Sequence, residues 1–295
     1  MGQATEEKTS CHLVRIVATR FLAVMFFSRF ALPWLLVLAS AASVVAQDLG
    51  PFGGTPENAR RYTECMALAR KEPLRAQPIA EKWMGNGGGL GARHCVAVAM
   101  FEAGRTTQAA VQFESIARDL GQERPDLRAE LWAQAGQAWA DTGDGAKAAA
   151  AQTRAIDLKP NDPDLWIDRG LTYAGLSEWP RAVSDFDRAL ALRRNDVEIL
   201  VLRAAAWRNS GDPARAIADA QLALKIAPDN TEALLERGYA LLARGDRSAA
   251  QADFAKVLSL VPPGTNSAKR AEAGMQGGSP PKTSPIPGNS TPSKR

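Results

Sequence analysis

The sequence predicts an all-α chain of stacked two-helix units, with an export segment in front and a disordered tail behind. Three observations carry this: an apolar stretch behind arginines near the amino terminus, a 34-residue repeat through the centre, and a carboxyl end rich in Gly, Ser, Pro and Thr. Hydrophobic residues make up 45% and charged residues 23% of 295 residues, the balance of an ordinary folded chain. The net charge of +4, from 36 basic and 32 acidic residues, is mixed along the chain and gives no electrostatic case for nucleic acid. Three cysteines are too few for a disulfide scaffold. Two histidines without a neighbouring carboxylate cluster leave no metal site and no His-dependent catalytic set. No enzyme and no cofactor are expected.

Residues 21–46 read FLAVMFFSRFALPWLLVLASAASVVA. No charge interrupts the run from Phe30 to Val45, Arg15, Arg20 and Arg29 precede it, and Val44-Val45-Ala46 ends it in compact residues. This order of basic, apolar and small residues predicts a secretory signal peptide over 1–46, cut after Ala46, with Met25 as a simpler start. The alternative is an uncleaved anchor, since Phe21 to Val45 is 25 residues, enough to span with Arg29 at an interface. Both readings place the rest outside the cytoplasm, in the periplasm or secreted, or else tethered to the inner membrane and facing outward. A membrane contact is expected only if the segment stays uncleaved.

From Ala129 the chain aligns with itself every 34 residues without a gap, as 129–162, 163–196, 197–230 and 231–264. Position 4 holds Trp132, Trp166, Leu200 and Leu234; position 8 holds Gly136, Gly170, Ala204 and Gly238. Position 11 holds Trp139, Tyr173, Trp207 and Leu241, and position 20 is alanine in all four units. Positions 4, 7, 8 and 11 share one helical face, and positions 20, 24 and 27 share another. Small residues at 8 and 20 let two helices approach while large ones at 4, 11 and 24 fill the space between. Gly143, Gly211 and Gly245 at position 15 suit a left-handed helix stop, and the Asp after each suits the next helix start. Proline at position 32 marks the connection between hairpins, except that Arg194 stands there in the second unit.

This pattern resembles the tetratricopeptide repeat (TPR) family over residues 129–264. The resemblance implies an α-α superhelix, a TPR solenoid, whose first helices line a concave face. Gln152 and Ala220 depart from it at position 24, where the other units carry Phe186 and Phe254. Residues 56–128 read as divergent hairpins of the same kind. Gly104 aligned to position 15 puts Ala97, Met100, Ala109 and Phe113 in register, and extra residues near Gly121–Arg128 join this copy to the array. Asn58–Lys71 and Leu74–Met84 form a first hairpin, and Gly85–Gly91 reads as a flexible connection without the Lys-Ser/Thr of a phosphate loop. Residues 265–295 read as a disordered tail; Ser267–Met275 could form a short capping turn but is too polar for a good lid, which would leave apolar surface open on the last hairpin for self-association.

Position 7 is Arg169, Arg203 and Arg237 in three units and alanine in the other; position 23 is Asp185, Asp219 and Asp253 in the same three and alanine in the other. The residues come and go together, so they read as structural ion pairs. With Cys11 lost alongside the signal, Cys65 and Cys95 remain, each in the first helix of a consecutive hairpin. Such helices are neighbours in a TPR stack, which implies a Cys65–Cys95 disulfide worth about 3 kcal/mol. His94 adjoins Cys95 but points about 100° away on a helix, so it reads as a surface or partly buried histidine, not as half of a nucleophilic pair.

By the same resemblance positions 5, 9 and 12 face the groove. Beside Ala133, Gln137, Ala140, Ala174 and Ala205 they give Ile167, Leu171, Val201, Arg208, Leu235, Tyr239 and Leu242, a largely apolar trough widest toward the carboxyl end. The acids at position 2, Asp164 and Glu232 among them, read as first-turn residues opposing the helix dipole. The expectation is an exported, non-enzymatic scaffold that binds an envelope protein or peptide through apolar anchors, with a membrane-tethered assembly factor as the alternative.

Overall fold

The computed structural model describes residues 50–278, and these fold into thirteen helices with no strand among the described residues. The predicted signal over 1–46 and the tail beyond 278 lie outside the described residues.

The 34-residue register is a physical spacing. The second helices α6 (Gly145–Leu158), α8 (Trp179–Leu192), α10 (Pro213–Ile226) and α12 (Arg247–Leu260) begin 34 residues apart. Their partners are α5 (Pro125–Asp141), α7 (Pro163–Gly175), α9 (Val197–Asn209) and α11 (Thr231–Arg244). Gly143, Gly211 and Gly245 take φ of +82°, +85° and +95° between the two helices, where only glycine turns without strain. Ser177 fills this place in the second unit at φ +59°. Asp144 and Asp212 then cap α6 and α10 by accepting from the amides of Lys147 and Arg215.

Upstream, α3 (Gly89–Glu102) and α4 (Thr106–Asp119) form the degraded copy, and α1 (Pro56–Lys71) and α2 (Pro73–Gly85) the first hairpin. The extra residues before the array become an added amino-terminal turn, so that α5 starts at Pro125. The glycine run is not the flexible connection expected. Gly89, Leu90 and Gly91 already belong to α3, and a Cβ on Gly88 would come within 2.8 Å of the Trp83 indole. Gly88 and Gly91 lie flush against Trp83, while Gly87 and Gly89 take φ of +84° and +55°.

Each second helix packs on the first helix of the next hairpin, and α1 touches α3, α5 touches α7 and α9 touches α11 directly. The core is three packed groups joined by shared aromatic and aliphatic residues: Trp166 belongs to the first two, Leu190 and Trp207 to the second and third. Position 8 decides how close a hairpin closes. A Cβ on Gly170 or Gly238 would meet the ring of Phe186 or Phe254 at 2.6 or 2.7 Å. Where position 8 is Ala204, position 24 is the small Ala220.

The arginines at position 7 bind their carboxylates side-on. Arg169, Arg203 and Arg237 each donate from Nε and Nη2 to both oxygens of Asp185, Asp219 and Asp253, at 2.6 to 2.9 Å. Two of them also reach back one repeat: Arg169 Nη1 donates to Thr153 Oγ1 at 2.9 Å and Arg203 Nη1 to Asp187 Oδ1 at 2.6 Å. The pair therefore ties a hairpin to its predecessor as well as to itself. A second pairing repeats beside it, unforeseen from the sequence. Lys147, Arg181 and Arg215 at position 19 lie 4.3, 5.3 and 4.5 Å from the rings of Trp139, Tyr173 and Trp207 at position 11. Cys65 on α1 and Cys95 on α3 are bonded, with Cα atoms 6.1 Å apart.

The carboxyl end corrects the sequence reading. Residues 266–275, expected to be disordered, form α13 (Asn266–Met275), capped by Thr265, whose Oγ1 accepts from the Ala268 amide. It packs on α11 and α12 through Ala268, Ala271 and Gly274. Small residues suffice because Gly274 lies flat on Phe254, where a Cβ would run into the ring.

Candidate inner-face binding site

The seven residues expected to line the groove do not share one exposure. Ile167 and Leu171 on α7, Arg208 on α9 and Leu242 on α11 are partly exposed. Val201, Leu235 and Tyr239 are 6%, 0% and 3% exposed and belong to the core. By repeat position they belong to the inner face, but α9 packs directly on α11, and α13 covers what α11 would otherwise show. The trough is thus closed at the carboxyl end, where it was expected to be widest.

The closure is polar as well as steric. Arg270 of α13 is buried, donating to Glu232 at 2.5 Å and to Glu236 at 3.1 Å, while Arg208 donates to the other Glu236 oxygen at 2.8 Å. Tyr239 donates its hydroxyl proton to the Arg270 carbonyl. Glu236 is only 3% exposed and sits between two guanidinium groups, which is what allows a carboxylate there. Glu232 and Asp164, read as helix-dipole acids, also hold arginines, Arg270 and Arg193.

The amino-terminal end of the same face is closed by the segment before α1. Phe52 lies 5.5 Å from the Tyr62 ring and 5.3 Å from the His94 ring, and Arg124 donates to the Pro51 carbonyl. Beneath it runs a chain of hydrogen bonds across three first helices: Tyr62 of α1 to His94 Nδ1 at 2.9 Å, and His94 Nε2 to Gln134 of α5 at 2.7 Å. His94 is 4% exposed, more deeply buried than the sequence suggested. Gln134 Oε1 only accepts, so Nε2 carries the proton and Nδ1 accepts from the tyrosine hydroxyl. Burial, opposed by the Gln134 hydrogen bond and aided by Arg70, holds the His94 pKa down at about 4. Burial pushes Tyr62 up to about 12.

Between these closures the inner face stays open along α5, α7 and α9. Gln137 and Asp141 are exposed there, and Ile167, Asp168, Leu171 and Arg208 partly so. Asp164, Ile167, Asp168 and Leu171 recur at the three- and four-residue spacing of one helical face. Burial, with Asp164 and Asp162 nearby, pushes the Asp168 carboxyl up to about 6, and burial also raises Asp141 against its hydrogen bond from Gln137. Leucine and isoleucine beside carboxyls of raised pKa make a half-apolar strip that favours a hydrogen-bond donor or a cation over bare water. Among the described residues no three His, Cys, Asp or Glu side chains converge to hold a metal ion.

The sequence profile of the tetratricopeptide repeat matches residues 136–206. No curated protein sequence matches the chain. Among solved structures, MamA from Desulfovibrio magneticus RS-1 (residues 41 to the end) is 20% identical, covering 58% of this chain and 94% of its own at a TM-score of 0.52. A further MamA crystal structure gives 17% identity, 59% and 92% coverage and the same TM-score of 0.52. The C-terminal part of a TPR repeat-containing protein from Cytophaga hutchinsonii is 15% identical, covers 71% of this chain and 83% of its own, and superposes at 0.61. At these identities the structures speak for the fold. Register, helix positions and profile agree: residues 136–206 carry tetratricopeptide repeats, and the described array has the fold of a tetratricopeptide-repeat solenoid.

Proposed function

We propose that this protein is a non-enzymatic scaffold that holds a segment of another envelope protein on the middle of its inner face. The TPR fold is of a kind that scaffolds protein–protein contacts. The observation that carries the rest is the double closure. Phe52 covers one end of the inner face and α13 the other, so the half-exposed strip of Ile167, Asp168 and Leu171 is what a partner can reach. Its composition suits a segment with an apolar anchor and a nearby Lys, Arg or backbone donor.

Placing a photo-reactive residue at Leu171 of the native chain tests this. The site should give one discrete adduct in cells, and the outward Leu222, 38% exposed, should give none. Equal adducts at both, or none at Leu171, would refute the reading.

Export is part of the same proposal and rests on the basic and apolar pattern of residues 15–46. Amino-terminal sequencing of the protein from fractionated cells should read Gln47 in the periplasm. An intact segment in the membrane fraction would favour the tethered assembly factor, and recovery from the cytosol would defeat both.

A further inference from the structure

We propose that the cleft beneath Phe52 is a second peptide-binding site, plugged in cis by residues 50–54, which takes a Pro-Phe-Gly-type segment of a partner protein. The partner's aromatic side chain replaces Phe52 against Tyr62 and His94, and the carbonyl before it replaces that of Pro51 on Arg124.

The cis segment has the build of a plug. Phe52 is only partly buried, and its backbone closes a turn in which Gly53 N donates to Gly50 O at 3.2 Å. Gly53 and Gly54 follow at φ of +70° and +103°, a conformation glycine enters and leaves freely. Thr55 then caps α1 by accepting from the Asn58 amide at 3.2 Å. The cap lies beyond the glycine pair, so α1 keeps its amino-terminal hydrogen bond when the segment swings away.

The floor is preorganised without the plug. Tyr62 and His94 satisfy each other, Gln134 satisfies the remaining imidazole nitrogen, and Trp83 Nε1 donates to Asn58 at 3.2 Å. None of these groups depends on Phe52 for a polar partner. Gly91 keeps the wall flat: a Cβ there would lie 3.4 Å from Trp83 and 3.8 Å from the Phe52 Cβ. A cleft of about 170 Å³ remains between the segment and this glycine wall. An already ordered floor lowers the cost of binding a segment in trans.

A short tether gives the cis plug an effective concentration on the order of millimolar, so the intact chain should resist a weak peptide. The test is calorimetric titration of the full chain with a synthetic peptide of residues 50–56. Phe52→Ala should bind it with a dissociation constant below ~0.1 mM. The unaltered chain should bind at least ~10-fold more weakly. The peptide with alanine for phenylalanine should not bind either chain. Silence from a Phe52→Ala chain that melts as the parent does, or equal binding by both chains, would overturn the proposal. Should Phe52→Ala prove unfolded, hydrogen exchange on the unaltered chain decides. Amides of residues 52–54 should open far faster than that of Ala69 in α1, and exchange only with global unfolding would overturn the proposal. Failure here leaves the central strip as proposed, because neither experiment involves it.

Discussion

Protonation of His94 should work against this fold in acid. Its pKa is near 6.5 in an unfolded chain and about 4 in the fold, with burial as the main cause. Between those values the unfolded state binds the proton and the folded state does not. Stability from this group is therefore complete above pH 6.5, falls as pH drops toward 4, and levels off below. The shift of about 2.5 pKa units corresponds to about 3 kcal/mol. Other groups titrate in the same window, and Asp168, raised to about 6, acts in the opposite sense, gaining stability as pH falls. The His94→Gln variant isolates the effect, since glutamine can still bridge Tyr62 and Gln134 without titrating. Urea unfolding between pH 7 and 4, followed by amide signals of α3, should show the parent losing about 3 kcal/mol more than the variant. Parallel pH profiles would refute the reasoning.

Three further outcomes follow from the repeat contacts. Arg203→Ala should cost about 2–3 kcal/mol by leaving Asp219 largely buried and unpaired, and the double variant with Asp219→Ala should fall short of additivity by ~1–2 kcal/mol in thermal or urea unfolding. Ser177→Gly should stabilise by about 1 kcal/mol, because Ser177 holds φ +59° where three other units use glycine, and a raised melting temperature checks it. Replacing Cys65 and Cys95 by alanine should cost about 3 kcal/mol, given a sequence separation of 30, and non-reducing peptide mapping of the parent should recover the bridge.

The hairpins were legible because the sequence aligns with itself. Trp132 and Trp166, Gly136 and Gly170 are each other's evidence, and the second helices do begin every 34 residues. What failed was exposure, which depends on neighbours that carry no local signal. Leu235 and Tyr239 sit at groove positions yet are buried, because α13 returns over them. From sequence Ser267–Met275 suggests no more than a short capping turn, because its packing face is Ala268, Ala271 and Gly274 around a buried Arg270, not a stripe of large apolar residues. Thr265 after Gly264 was the available sign of a helix start. The Tyr62–His94–Gln134 chain joins residues 32 and 40 positions apart, and no spacing rule finds such a contact. The pairing of position 19 with position 11 could have been found. Lys147, Arg181 and Arg215 accompany aromatics, and Ala249 accompanies Leu241.

The claim on which the account turns is an inner face shut at both ends and open in the middle. Alkylation of single cysteines placed at Leu171 and Leu235 measures it directly, since Cys65 and Cys95 are already bonded to each other. The cysteine at Leu171 should react in the folded chain at least ~100-fold faster than that at Leu235, which should wait for α13 to open. Removing residues 265–295 should bring the second rate up and leave the first unchanged. Similar rates at both positions in the intact chain would contradict the account.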